Sequence, residues 1–139
     1  MLNVVNYSVE YINHCRLNIQ AQLQTYQQMI AVAPSSDFKQ ARVRFESHFF
    51  CNMIILLESY FIHRSRNNEK RDGNPLNQVR MISASLMNNH GIMTGDKSIA
   101  YNPEKAVLKI PVGAQVRIDQ AGFEKLSEAF LKEIEKKYC

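Results

Sequence analysis

The chain has 139 residues, 45% hydrophobic and 22% charged, with five glycines and four prolines. One domain accommodates that length, and folding it buries roughly 68% of the unfolded surface, enough for a core without covalent staples. The composition excludes a disordered tail or low-complexity linker, and a formal net charge of +4 turns attention to anionic partners, nucleic acid among them.

The opening residues, MLNVVNYSVEYINH, lack the basic start and apolar block of a secretory signal. The first predicted helix covers about residues 3–32. Its apolar positions are Ile12, Cys15, Ile19, Leu23, Tyr26 and Ile30, stepping by threes and fours along one face. A seam this regular suits a bundle or a contact between two copies. Pro34 and the Ser35-Ser36 pair end it.

The second predicted helix covers about residues 37–68, with Asp37 as its cap. Phe38, Ala41, Phe45, Phe49, Met53, Leu56 and Tyr60 repeat at helical spacing. Phe50, Ile54, Ile55, Leu57, Phe61 and Ile62 widen the stripe, which marks a central helix. Even its greasiest stretch, Phe49 to Leu57, falls far short of the ~20 apolar residues of a membrane span.

A polar run from His63 to Asn74 follows. Asp72-Gly73 signals a turn, and Asn74-Pro75 reads as a cap with proline at the first helical position. The third predicted helix covers about residues 75–89, with Leu76, Val79, Ile82 and Leu86 on its apolar face. Residues 91–118 hold scattered glycines and prolines between two short alternating runs, Val107–Ile110 and Val116–Ile118. They read as irregular chain with a small β-hairpin. The last predicted helix covers about residues 120–137. Asp119 caps it, Ile118 staples onto Phe123, and Phe123, Leu126, Phe130 and Ile134 line one face. The expected fold is therefore a single, mainly α domain over residues 1–139: a four-helix bundle with a small irregular or β-hairpin insertion before the last helix. No internal repeat is visible.

Cys15, Cys51 and Cys139 cannot all pair within one chain, and no two stand in a C-x-x-C spacing. Free thiols in a reducing, cytoplasmic compartment are expected. His48-x-x-Cys51 could put two metal ligands on one face, but no further ligands complete a set, so no metal or cofactor is expected. Phosphate loops, nucleophile elbows and zincin motifs are missing from the sequence.

The stretch from Phe61 to Arg80 is the most distinctive. It carries Arg64, Arg66, Lys70, Arg71 and Arg80 against only Glu69 and Asp72. The helix after Asn74 offers free backbone N–H groups, and arginines offer forked donors to phosphate or carboxylate. Arg64, Arg66, Arg71, Asn74 and Arg80 are thus the candidate anion-binding residues. A structural reading competes: an Arg64–Glu58 or Arg66–Asp72 pair would simply lock the helix junction. No aromatic residue lies between Phe61 and Tyr101 to stack on bases.

The pattern F-x-H-R-x-R followed by D-G-N-P-L-N-x-V-R-M resembles a family of small uncharacterised bacterial proteins. The likeness covers about residues 45–138 and continues through Leu86-Met87-Asn88-Asn89 and F-E-K-L-S-E-A-F-L-K-E-I-E. The family pattern reads G-K-D-G-N-P where this chain has Lys70-Arg71-Asp72-Gly73-Asn74-Pro75. A weaker resemblance is to the HEPN helical-bundle superfamily, many of whose members are small RNases. Their active sites place an arginine and a histidine four to six residues apart, and Arg42 and His48 have five residues between them. That resemblance implies a catalytic pair, with His48 as general acid or base and Arg42 on the scissile phosphate.

The expectation carried forward is a non-catalytic binding module with a basic, anion-contacting helix junction, self-associating through the Ile12–Ile30 seam. The alternative is a HEPN-like RNase or a nucleic-acid-associated component of bacterial defence. No membrane association is expected.

Overall fold

Each amphipathic stretch becomes a helix in the computed structural model, which describes residues 3–31 and 36–139 apart from the side chains of residues 36 and 37. The helices are α1 (Val9–Ala31), α2 (Ser36–Tyr60), α3 (Arg66–Glu69), α4 (Pro75–Asn88) and α5 (Gln120–Tyr138). The protein is mainly α. Helices α2, α4 and α5 pack on one another, α1 lies against α5 and α2, and short α3 touches α5. Phe50, Ile54, Leu57 and Phe61 at the centre have no exposed surface. Leu76, Val79 and Ile82 of α4 meet them from one side, and Phe123, Leu126, Phe130 and Ile134 of α5 from the other. At roughly 1.5–3 kcal/mol per buried large apolar side chain, this cluster is the main source of stability.

The caps of α4 and α5 follow the sequence. Asn74 accepts from Leu76 N at 2.9 Å and Asn77 N at 3.3 Å. Asp119 accepts from Gly122 N at 2.8 Å, and Ile118 and Phe123 are both buried beside it. The stop expected at Pro34 and Ser35 lies outside the described residues, and α2 already begins at Ser36, so Asp37 stands inside the helix rather than capping it.

Three further expectations are corrected. The first helix begins at Val9 rather than near residue 3, because Ser8 Oγ caps it by accepting from Tyr11 N. The residues before it run extended, and Val4 forms a parallel bridge with Arg64. The second helix ends at Tyr60 rather than near residue 68. Arg64 turns back, and its Nη1 donates to Phe61 O at 3.1 Å. An unbroken helix would swing Arg64 away from Glu58. The β-hairpin does not form: the described residues contain no strand, only an isolated antiparallel bridge between Ile92 and Gln115. The run at 107–110 is held by a side chain instead. Gln78 Nε2 donates to Leu108 O at 2.5 Å, and Leu108 N donates to Gln78 Oε1 at 3.1 Å.

The α1 seam faces inward. Ile12, Cys15, Ile19 and Tyr26 are buried in this chain's own core, and Leu23 and Ile30 are packed against it. The face expected to join two copies is therefore engaged within one. No helix among the described residues is long and apolar enough to cross a membrane.

Candidate functional site

Two carboxylates organise the junction between α2 and α4. Glu58 leaves the last turn of α2, and Glu69 ends α3; both are buried. Arg64 has a fully buried side chain, and its Nε donates to Glu69 Oε1 at 2.7 Å. Its Nη1 lies 2.9 Å from Glu58 Oε1, in ion-pair contact without hydrogen-bond alignment. Its Nη2 donates to Leu76 O at 3.2 Å, and the guanidinium sits 5.4 Å over the Phe130 ring. Arg80 reaches in from α4: Nη2 donates to Glu69 Oε1 at 2.6 Å and Nε to Glu69 Oε2 at 3.1 Å. Asn77 Nδ2 completes Glu69 by donating to Oε2 at 2.9 Å.

Burial alone would raise the Glu69 pKa, but the hydrogen bond from Arg80 and the charges of Arg64 and Arg80 outweigh it and hold the carboxyl below its usual value. Glu58 goes the other way. Burial pushes its carboxyl up, and the charges of Arg64 and Arg80 only partly offset that. Glu58 is the more deeply desolvated of the two, and Glu69 accepts more donors, from Arg64, Arg80 and Asn77.

Residues far along the chain close the junction. Tyr138 Oη donates to Ser65 O at 2.7 Å, and Lys137 Nζ donates to Glu69 O at 2.8 Å. Val4 N donates to His63 O, and Ser65 N to Val4 O.

The five residues expected to bind an anion fall into different settings. Arg64 is enclosed by its two glutamates. Asn74 is engaged in capping α4, with its Nδ2 donating to Glu69 O and Asp72 Oδ1. The N–H groups of the first α4 turn are thereby taken up. Arg71 is exposed, and its carbonyl accepts from Ala100 N. Arg80 holds Glu69 and keeps about a fifth of its side chain exposed (20%). Arg66 differs from all of them: its Nε is buried and has no hydrogen-bond partner. Burial and the neighbouring charge of Arg80 lower its pKa. The Arg64–Glu58 pair considered from sequence forms. Asp72, the other partner considered, instead accepts from Asn74 N and Nδ2.

Arg66 and Arg80 meet at one cleft of about 510 Å³, to whose wall Asn3, His63, Asn67 and the otherwise enclosed Arg64 also contribute. Arg71 and Asn74 are not among its lining. Asp96, whose charge reaches Arg66, is bound by Ser98 N at 2.8 Å and Ser98 Oγ at 2.6 Å.

The Arg42–His48 pair does not converge. Arg42 Nε donates to Glu46 Oε1 at 2.6 Å, and the same oxygen accepts from Tyr26 Oη. Burial and the Glu46 contact push the Tyr26 hydroxyl up to about 12. His48 is exposed and lines a different groove, toward residues 108–122. Among the described residues, no group of three or more His, Cys, Asp and Glu side chains could hold a metal ion.

Sequence reasoning missed Glu69 as the hub. Its signal was its position as one of only two acids in a basic stretch. Asn77 and Tyr138 carried no comparable signal. No known family model matches the chain, and no curated protein or solved structure matches it.

Proposed function

We propose that the protein is a binding module whose helix junction receives an anionic group, a nucleic-acid phosphate in the first instance, through Arg66. The observation that carries this reading is the buried, unpartnered Nε of Arg66 at the wall of the 510 Å³ cleft. Glu58 and Glu69 are matched by Arg64 and Arg80, which leaves Arg66 as an unmatched cation at this cleft. Arg66 gives none of its side-chain donors to an acceptor among the described residues, so the part of its guanidinium that faces the cleft is left to pair with a phosphate oxygen. Arg80, His63 and Asn67 stand around the same cleft. No phenyl or phenol ring lines it, so it suits a phosphate rather than a stacked base.

A reducing, cytoplasmic setting fits three free cysteines, two of them buried. Self-association is proposed for a face other than the α1 seam. Leu17, Met29 and Phe45 are exposed apolar side chains of α1 and α2. The RNase reading has less support, because Arg42 is paired with Glu46 and His48 faces another groove.

The test is fluorescence anisotropy of labelled single-stranded RNA and duplex DNA at two salt concentrations. Phosphate binding releases counterions and weakens steeply with salt. Salt-sensitive binding that falls in Arg66→Ala supports the reading, and no binding at low salt overturns it. Incubating the same RNA with wild type and His48→Ala tests the rival: cleavage that disappears in the variant would favour the RNase.

A further inference from the structure

A second groove among the described residues lies away from the junction. It is a groove of about 620 Å³ between the N-terminal half of α2 and the segment from Leu108 to Gly122. That volume falls within the roughly 300–1,000 Å³ of small-molecule sites. Its floor is aliphatic. Leu108 and Ile110 are half-buried, Ile118 is buried at 2% exposure, and Val43 is 67% exposed. A valine that open on a helix has no packing role of its own.

The rim is cationic. Arg44, Lys109 and Arg117 line the groove, with His48 beside them. The two carboxylates in the lining are already engaged. Glu46 is held by Arg42 and Tyr26, and Asp119 caps α5 through Gly122 N. Lys109 Nζ donates to Glu104 O at 2.7 Å, which leaves its charge unneutralised. The side chains of Arg44, Arg117 and His48 have no ion-pair or hydrogen-bond partner among the described residues. The groove therefore presents an apolar floor under a surplus of positive charge.

The lining holds no phenylalanine or tyrosine, and its floor is aliphatic. An alkyl chain fits the floor, and an acid head fits the rim. We propose that this groove binds an aliphatic carboxylate, its chain along Val43, Leu108, Ile110 and Ile118 and its carboxylate between Arg44 and Arg117. A guanidinium fork matches a carboxylate in geometry as well as charge. This site is separate from the Arg66 cleft and does not depend on it.

The test is titration of the full chain with hexanoate, octanoate and decanoate, followed by calorimetry and backbone-amide NMR shifts. Affinity should rise roughly two- to fourfold per added methylene as more chain meets the floor. The shifts should cluster at residues 43–48, 108–110 and 117–122. The double variant Arg44→Glu, Arg117→Glu changes two exposed residues and leaves the core intact. It should weaken decanoate binding by about tenfold. Decanol, equal in length but uncharged, should bind as weakly to wild type as decanoate does to the variant. Arg66→Ala should leave decanoate binding unchanged. Absence of saturable decanoate binding below about 1 mM, roughly the weakest affinity worth calling specific, would overturn the proposal. So would decanol binding as tightly as decanoate, or shifts confined to another face.

Discussion

Arg64 Nε donates to Glu69 Oε1 at 2.7 Å, and neither side chain has any exposed surface. Such a pair adds little net stability over an apolar replacement, yet breaking one half leaves an uncompensated charge in the core. Arg64→Ala should therefore cost about 3–5 kcal/mol, and Glu69→Gln a comparable amount. In a chain of this size that lowers the melting temperature by roughly 10 °C or more. Arg64→Lys should recover little, because an ammonium cannot also serve Phe61 O and Leu76 O with a planar fork. Thermal melts by circular dichroism check all three.

The two glutamates should respond to acid in opposite directions. Glu69 has a folded pKa held below the ordinary 4.5, so its stabilisation is present above that value and is lost as pH falls through the lower folded one. Glu58 has a raised folded pKa, so its contribution is fully present below 4.5 and is lost as pH rises through the raised value. The deficit of Glu69→Gln relative to wild type should shrink as pH drops from about 7 to about 3. Glu58→Gln should compare better with wild type near pH 7 than near pH 4. Urea unfolding across that range distinguishes them, and a shared pH trend in both variants would contradict the assignment.

Lys70 is a strained point in the junction. Its φ of 67° and ψ of 176° fall where residues other than glycine are rare and cost about 1–3 kcal/mol. Lys70→Gly should stabilise the protein by about 1 kcal/mol, as relief of strain exceeds the added freedom of the unfolded chain. Gly73→Ala should do the reverse. Its φ is 87°, and a Cβ there would stand 2.5 Å from Ala100 O, which is backbone and cannot step aside. Chemical denaturation of the two variants should show shifts of opposite sign.

The helices were legible because apolar spacing and caps are local signals. Asn74, Pro75 and Asp119 announced α4 and α5 before any packing was considered. The end of α2 was not legible, since it depends on Arg64 finding Glu58, Glu69 and Leu76 O at once. The missing hairpin has a similar cause. Alternation at 107–110 describes a half-buried strand, but Gln78 takes the Leu108 N–H and C=O that a neighbouring strand would need. The basic stretch was visible as a charge excess. Which arginines were neutralised could not be read, because that was decided by Glu58 and Glu69, separated in sequence and joined only by the fold.

Arg66 gives the sharpest separation of structure from binding. Arg80 bonds both oxygens of Glu69, so Arg80→Ala should destabilise the fold and weaken anion binding together. Arg66 has a buried Nε with no partner, and its positive charge is disfavoured by burial and by Arg80. Removing it takes away a cost and breaks no side-chain hydrogen bond or ion pair among the described residues, forgoing only the longer-range attraction of Glu69 and Asp96. Arg66→Ala should therefore leave the melting temperature unchanged or slightly raised, while phosphate binding falls and the salt slope flattens by about one unit. Sites kept for function at the expense of stability show this signature. Arg66→Lys should keep part of the salt dependence, as a point charge without the fork. Melts and anisotropy titrations on the same preparations decide it: a large loss of stability in Arg66→Ala would make the residue structural, and unaltered binding in a stable Arg66→Ala would leave the cleft without a ligand-binding role.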